Sequence, residues 1–183
     1  MESLSGKLLV AAPQLRDPNF VQTVVLIIQH EPQGALGVIL NRPSQQSVRE
    51  VCEILDHQPC SSDRPIYSGG PVPGPLLAVH TASSHADQEI LPGLFVSAKE
   101  SSFHNLLDNE QDHWRIYSGH AGWGEGQLDG ELRAGGWLTT DAVIEDIFSD
   151  YQTLWKRMTS RIGLNILVPG LRPDQVPKDP GLN

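Results

Sequence analysis

Residues 23–30 read TVVLIIQH, a β-branched and apolar run without alternation. A strand with one face in water alternates polar and apolar residues, so this run predicts a strand covered on both faces. Glu31-Pro32-Gln33-Gly34 follows with turn chemistry, since Pro fixes φ and Gly permits positive φ. Residues 35–40, ALGVIL, resume the apolar pattern and stop at Asn41-Arg42-Pro43. Strands joined by so short a turn run antiparallel, because a parallel pair needs a crossover of roughly a dozen residues or more. A purely parallel, doubly wound sheet is therefore disfavoured.

The rest of the chain supplies short strands and helices in alternation. Residues 7–12 read as a first strand, ended by Pro13. Ser47 starts a helix, with Glu50 completing a capping box and Val48, Val51, Cys52 and Leu55 on one apolar stripe. Residues 65–68 and 76–81 read as strands on either side of the turn Gly69-Gly70-Pro71-Val72-Pro73-Gly74. Residues 94–97 form another strand, after which Ser97 and Glu100 offer a second capping box before Phe103, Leu106 and Leu107. A strand over 115–118 leads into the glycine-rich segment 119–126. A short helix with Leu128 and Leu132 comes next and stops at Gly135-Gly136. Thr140 or Asp141 caps a helix over 142–148. A last helix carries Tyr151, Leu154, Trp155, Met158 and Ile162 and ends at Gly163. Residues 1–168 thus read as one mixed helix-and-strand domain, and 169–183 as a tail with prolines at 169, 173, 177 and 180.

Twenty-two acidic residues face 13 basic ones, a formal charge of −9. That balance works against a polyanionic partner, whose counterions are displaced only by a local basic surface. Lys156, Arg157 and Arg161 form the nearest thing to a basic cluster and read as a solvated helix face. Cys52 and Cys60 are the only cysteines and make neither a CxxC motif nor a disulfide framework, which suits a reducing compartment. The apolar runs 8–12 and 24–28 are too short for a signal peptide or a membrane span. A cytoplasmic protein without membrane contact is expected.

The tetrapeptide Ile66-Tyr67-Ser68-Gly69 returns as Ile116-Tyr117-Ser118-Gly119, each closing a strand and entering a glycine-containing loop. Either two strands deliver matching turns to a shared site, or strand ends reuse one favourable chemistry. The plainer second reading is preferred for so short a match. Gly122, Gly124 and Gly126 lead into a helix but miss the dinucleotide spacing GxGxxG, because Gln127 stands where the third glycine belongs. Glu125 and Asp129 already bring negative charge to that helix start, which argues against phosphate. A structural alternative is that Trp123 plugs the core while the glycines turn the chain around it.

His30, His57, His80, His85, His104, His113 and His120 complete no zinc pattern with cysteine or carboxylate, so no metal and no cofactor is expected. Neither Ser68 nor Ser118 lies in GxSxG, and a triad of Ser118, His120 and a carboxylate rests only on nearness in sequence. Arg42 can present its planar fork to an anion, or it can staple a neighbouring loop through carbonyl groups, the commoner role beside a proline.

Together these segments resemble the YqgE/AlgH family of bacterial proteins. The matching stretches are Gly6-Lys7-Leu8-Leu9, Asp17-Pro18-Asn19-Phe20, residues 24–30 and residues 34–43. They continue with Gly69-Gly70-Pro71-Val72, Ala121-Gly122-Trp123-Gly124, Gly126-Gln127-Leu128 and Trp137-Leu138, in order over residues 5–165. The resemblance implies an α/β (α+β) architecture, in which a strongly coiled, mixed, largely antiparallel sheet packs against several helices. A transcriptional-regulator label travels with the family name. Nothing in the chain resembles a helix-turn-helix, a zinc finger or a basic arm, so direct nucleic acid binding is not expected. The family supplies no catalytic residue to carry over. His120 departs from an aromatic residue in the family pattern, which leaves no ring hydroxyl at that position.

The functional expectation is a non-enzymatic binding or regulatory protein. Its surface would combine Asn41, Arg42, Gly69, Gly70, Pro71, His120, Gly122, Trp123, Gly124 and Gln127, where an arginine and glycine-rich turns recur at strand ends. Arg42 and backbone N–H groups would favour a small anionic ligand or an acidic protein partner. The alternative is a small-molecule enzyme, a hydrolase for instance, using the 119–127 loop with His120 beside Ser118 or Asp17.

Overall fold

The computed structural model describes residues 3–54, 62–107 and 113–167. Leu55, His57, Cys60 and the proline-rich tail lie outside them, as do the side chains of His85, Glu100 and His104, and with Glu100 the second capping box. The described strands form two sheets. The first is antiparallel, in the order β10 (Ala121–Gly124), β3 (Gly34–Ile39), β2 (Val24–Glu31), β1 (Lys7–Ala11), β11 (Trp137–Asp141). The second runs β4 (Pro43–Ser47), β5 (Pro65–Ser68), β9 (Trp114–Ser118), β6 (Leu77–His80), β8 (Leu94–Ser97), β7 (Gln88–Leu91). Among the described residues only β5 and β9 pair in parallel. The mixed, largely antiparallel expectation holds, with the strands shared between two sheets.

The second strand shows why its sequence does not alternate. Val24, Leu26 and Ile28 enter a central core with Tyr67, Val79 and Tyr117 of the other sheet. Val25 and Ile27 point the opposite way, toward Ala35, Trp123, Leu128 and Trp137. Each such fully buried aliphatic side chain contributes about 1.5–3 kcal/mol, so β1 and β2 anchor both layers. Helices α4 (Ile144–Ile147) and α5 (Tyr151–Leu167) close the central core with Ile147, Leu154, Met158 and Ile162. Helix α3 (Gln127–Arg133) covers the outer face of the first sheet. On the far side of the second sheet, α1 (Val48–Ile54) and α2 (Glu100–Leu107) cover Ile66, Ala78, Trp114 and Ile116.

Several local expectations are met at atomic detail. The β2–β3 hairpin forms, with a register shift between Ile27 and Gln29. The capping box closes reciprocally: Ser47 N donates to Glu50 Oε2 at 2.8 Å and Glu50 N to Ser47 Oγ at 3.3 Å.

Others need correction. The core of the glycine-rich 119–126 segment is a strand, β10, paired with β3. Glycine weakens a strand in isolation, and the close approach of this pair depends on Gly34 of β3, where a Cβ would lie 2.2 Å from Trp123 O. Residues 137–141 form β11 along the whole of β1, so neither Thr140 nor Asp141 caps a helix. Asp141 instead binds Lys7 Nζ at 2.7 Å, and the following helix is only Ile144–Ile147. Helix α5 continues through Gly163 to Leu167, because one interior glycine costs only about 1 kcal/mol. Strands β5 and β6 flank the 69–74 turn as expected, and β9 lies between them in the sheet. Edge strand β4 carries no apolar pattern, and β7 offers only Ile90 and Leu91, too short an apolar stretch from which to read a strand. No helix among the described residues is long and apolar enough to cross a membrane.

Candidate functional site

Two connections pass from one sheet to the other: β3 to β4 through residues 40–42, and β9 to β10 through Gly119 and His120. Residues 69–72 are sewn between them. Gly69 O accepts Ile39 N at 2.8 Å, Gly69 N donates to Ser118 O at 2.9 Å, and Ser68 N donates to Arg42 O at 2.8 Å. Val72 and His120 exchange both main-chain bonds, at 3.0 and 2.9 Å. Thus Arg42, Gly69, Gly70, Pro71 and His120 meet at one junction. The repeated tetrapeptides lie side by side there, with Tyr67 opposite Tyr117 and Ser68 opposite Ser118.

The chemistry of this junction is mostly turned inward. A Cβ on Gly69 would lie 2.2 Å from Gly119 O, and one on Gly70 would lie 2.3 Å from His120 O. These glycines let backbone approach backbone, and several of the N–H groups expected to face a ligand are engaged. Asn41 donates to Gln22 O at 2.9 Å and accepts from Val24 N at 3.0 Å. Arg42 Nη2 donates to Val21 O at 2.9 Å, the loop-stapling role.

Gly122, Trp123, Gly124 and Gln127 run away from the junction along β10 into α3. Trp123 is buried and does plug the core. Its Nε1 and that of Trp137 both donate to Glu131 Oε2, at 3.0 and 2.8 Å, while Phe20 packs against both indoles. Gln127 donates to Glu131 Oε1 at 2.9 Å and accepts from Gly124 N at 3.0 Å. Gly124 and Gly126 line a cavity of about 230 Å³ with His30, Glu31 and Asp129, whose two carboxylates make it unsuitable for an anion. No cluster of three or more metal-ligating side chains occurs among the described residues.

No hydrogen bond among the described residues joins Ser118, His120 and Asp17, and Asp17 Oδ1 accepts Asn19 N at 2.8 Å. A different serine and histidine do meet: His80 Nε2 lies 2.9 Å from Ser97 Oγ, but both residues are fully buried, beyond reach of a dissolved substrate.

A second cavity, of about 270 Å³, opens beside β5 and β9 among Arg64, Tyr67, His113, Trp114, Arg115 and Phe148. Its cationic groups are each backed by a ring. Arg64 Cζ sits 4.5 Å from the Trp114 ring centre, and Arg115 Cζ sits 4.8 Å from that of Tyr67. The His113 and Phe148 rings stack at 5.4 Å. Arg115 Nη1 donates to Ile147 O at 2.9 Å and Leu40 O at 3.4 Å, and Nη2 donates to Ser149 O, which ties the junction to the end of α4. No carboxylate pairs with Arg64 or Arg115 among the described residues.

Burial pushes the Tyr67 hydroxyl above its ordinary pKa, against the opposing pull of the Arg115 charge, so it is a hydrogen-bond donor at neutral pH. Tyr117 is raised further by complete burial; Arg115 partly offsets this, yet its approach lacks the geometry of a hydrogen bond. Asp150 lies close enough to influence Tyr67, but it already accepts Gln152 N at 3.1 Å and Thr153 Oγ1 at 3.0 Å. Sequence reasoning missed this cavity. A usable signal was present: the residues leading into the two repeated tetrapeptides, Arg64 on one side and His113-Trp114-Arg115 on the other, are both basic.

The AlgH-like family profile matches residues 8–167. A UPF0301 protein of Chlorobaculum tepidum is 37% identical over 159 residues, covering 83% of each chain. One from Myxococcus xanthus is 34% identical over 170 residues, covering 90% of this chain and 94% of its own. The solution structure of AlgH from Pseudomonas aeruginosa superposes with a TM-score of 0.74 at 29% identity, covering 93% of this chain and 95% of that one. A crystal structure from Corynebacterium diphtheriae gives 0.73 at 26% identity, covering 88% and 87%. The resemblance read from the residues is thereby established: this chain belongs to the AlgH-like family.

Proposed function

We propose that the protein is a non-enzymatic binding protein for a small anionic ligand, with any regulatory role following from that binding. The supporting observation is the cavity beside β5 and β9, lined by Arg64, Arg115 and Tyr67, in which neither guanidinium has a carboxylate partner among the described residues. A guanidinium on a partly apolar wall favours a carboxylate or similar anion through short, charge-assisted hydrogen bonds. The ligand class is the one expected from the sequence, but Arg64 is better placed for it than Arg42, which is held by Val21 O, with Arg115 adding its charge while its terminal nitrogens bind main-chain carbonyls. Binding is favoured over catalysis because a tyrosine with a raised pKa is a poor base at neutral pH. The Ser118–His120 pair, for its part, makes no catalytic contact among the described residues.

Thermal unfolding across a panel of sodium salts at fixed ionic strength tests this reading. A ligand that binds only the native state raises the midpoint by mass action. The expected result is a rise with at least one organic anion, lost in Arg64→Ala. No rise with any anion, or a rise that Arg64→Ala retains in full, would reject the proposal.

A further inference from the structure

Resting on that reading, we infer that the cavity beside β5 and β9 selects a planar aromatic monocarboxylate, a single flat ring bearing one acid group. Size is the first argument. Pockets for drug-sized molecules run from roughly 300 to 1,000 Å³, and this one, at about 270 Å³, suits a smaller molecule. The donor count is the second. Both terminal nitrogens of Arg115 are occupied by main-chain carbonyls, so Arg64 alone has its whole fork available among the described residues. One fork matches the two oxygens of one carboxylate, and Tyr67, which carries a hydroxyl donor, also lines the cavity. A phosphate dianion asks for more donors than one fork supplies.

Flatness is the third argument. Trp114 backs the guanidinium of Arg64 and Phe148 backs the imidazole of His113, so each is held as a planar group, and all four residues line the cavity. An aromatic ring stacked on such surfaces gains cation–π and stacking attraction that a saturated ring of similar size cannot.

Titration calorimetry with the full chain, using benzoate, cyclohexanecarboxylate, acetate, inorganic phosphate and benzylamine as probes, tests the selection. Benzoate should bind best, with Arg64→Ala weakening it about tenfold or more, as loss of a charge-assisted contact implies. Tyr67→Phe should weaken it by a smaller factor. Because a substitution can disturb folding, the wild-type protein is also followed by NMR, where benzoate should shift the ring resonances of Tyr67, Trp114 and Phe148. Equal affinity for benzoate, cyclohexanecarboxylate and acetate, or a preference for phosphate, would overturn the aromatic selection while leaving anion binding in place. Shifts confined to other parts of the molecule would overturn the assignment to this cavity. Binding of benzylamine alone, or of none of the probes, would remove both.

Discussion

Glu131 is a half-buried carboxylate whose Oε2 accepts the indole N–H groups of both Trp123 and Trp137, at 3.0 and 2.8 Å. Those indoles are only 5% and 3% exposed, so Glu131→Ala leaves two buried donors without a partner. Each orphaned donor costs about 1–3 kcal/mol, and partial access of water to the site lowers the total to about 2–4 kcal/mol. Glu131→Gln keeps an acceptor oxygen and loses only the charge, a cost of about 1 kcal/mol. For a chain of this length each kcal/mol moves the midpoint by roughly 2–4 °C, so the alanine variant should melt roughly 4–16 °C lower. Urea unfolding followed by tryptophan fluorescence measures the loss, and the indole N–H resonances report directly on the bonds. An alanine variant within about 0.5 kcal/mol of wild type, the scatter of ordinary surface substitutions, would refute the argument that this carboxylate holds α3 against β10 and β11.

Gly69→Ala should cost at least about 3 kcal/mol because its Cβ meets main-chain oxygen, which no rotamer can relieve. Gly126→Ala meets nothing within 4 Å and should cost only the left-handed penalty of about 1–2 kcal/mol; equal losses in urea would contradict the close-approach account. Gly163→Ala, in the interior of α5 with open space around it, should stabilise by about 0.5–1 kcal/mol, and a lowered midpoint would reverse that reading. Tyr117→Phe should leave neutral-pH stability unchanged or raise it by about 1 kcal/mol, since the hydroxyl it removes has no hydrogen-bond partner. The folded pKa of Tyr117 lies above the unfolded one, so its contribution is intact below the ordinary tyrosine pKa and is lost as pH rises past it. The phenylalanine variant should therefore hold its urea midpoint further into alkali, and an unchanged alkaline profile would count against the burial argument. Duplex DNA should show no sequence-dependent retardation at moderate salt, because Arg157 and Arg161 are engaged with Asp146.

Elements that depend on near neighbours were legible without coordinates. The β2–β3 hairpin, the Ser47–Glu50 box, the apolar stripe of α5 and Trp123 as a plug each follow from spacing and side-chain chemistry within a few residues. The chain itself therefore determined that an antiparallel hairpin would be buried on both faces, and its ordered motifs carried the family resemblance. Tertiary structure alone decided which segments became β10 and β11, because glycine-rich or mixed sequences turn into strands only when β3 and β1 offer edges to pair with. It also decided that the guanidinium of Arg42 would brace a loop while Arg64 and Arg115 met across paired strands. Such meetings join residues far apart in sequence, and their strength comes from excluding water around the assembled group, a property that no single stretch of the chain possesses.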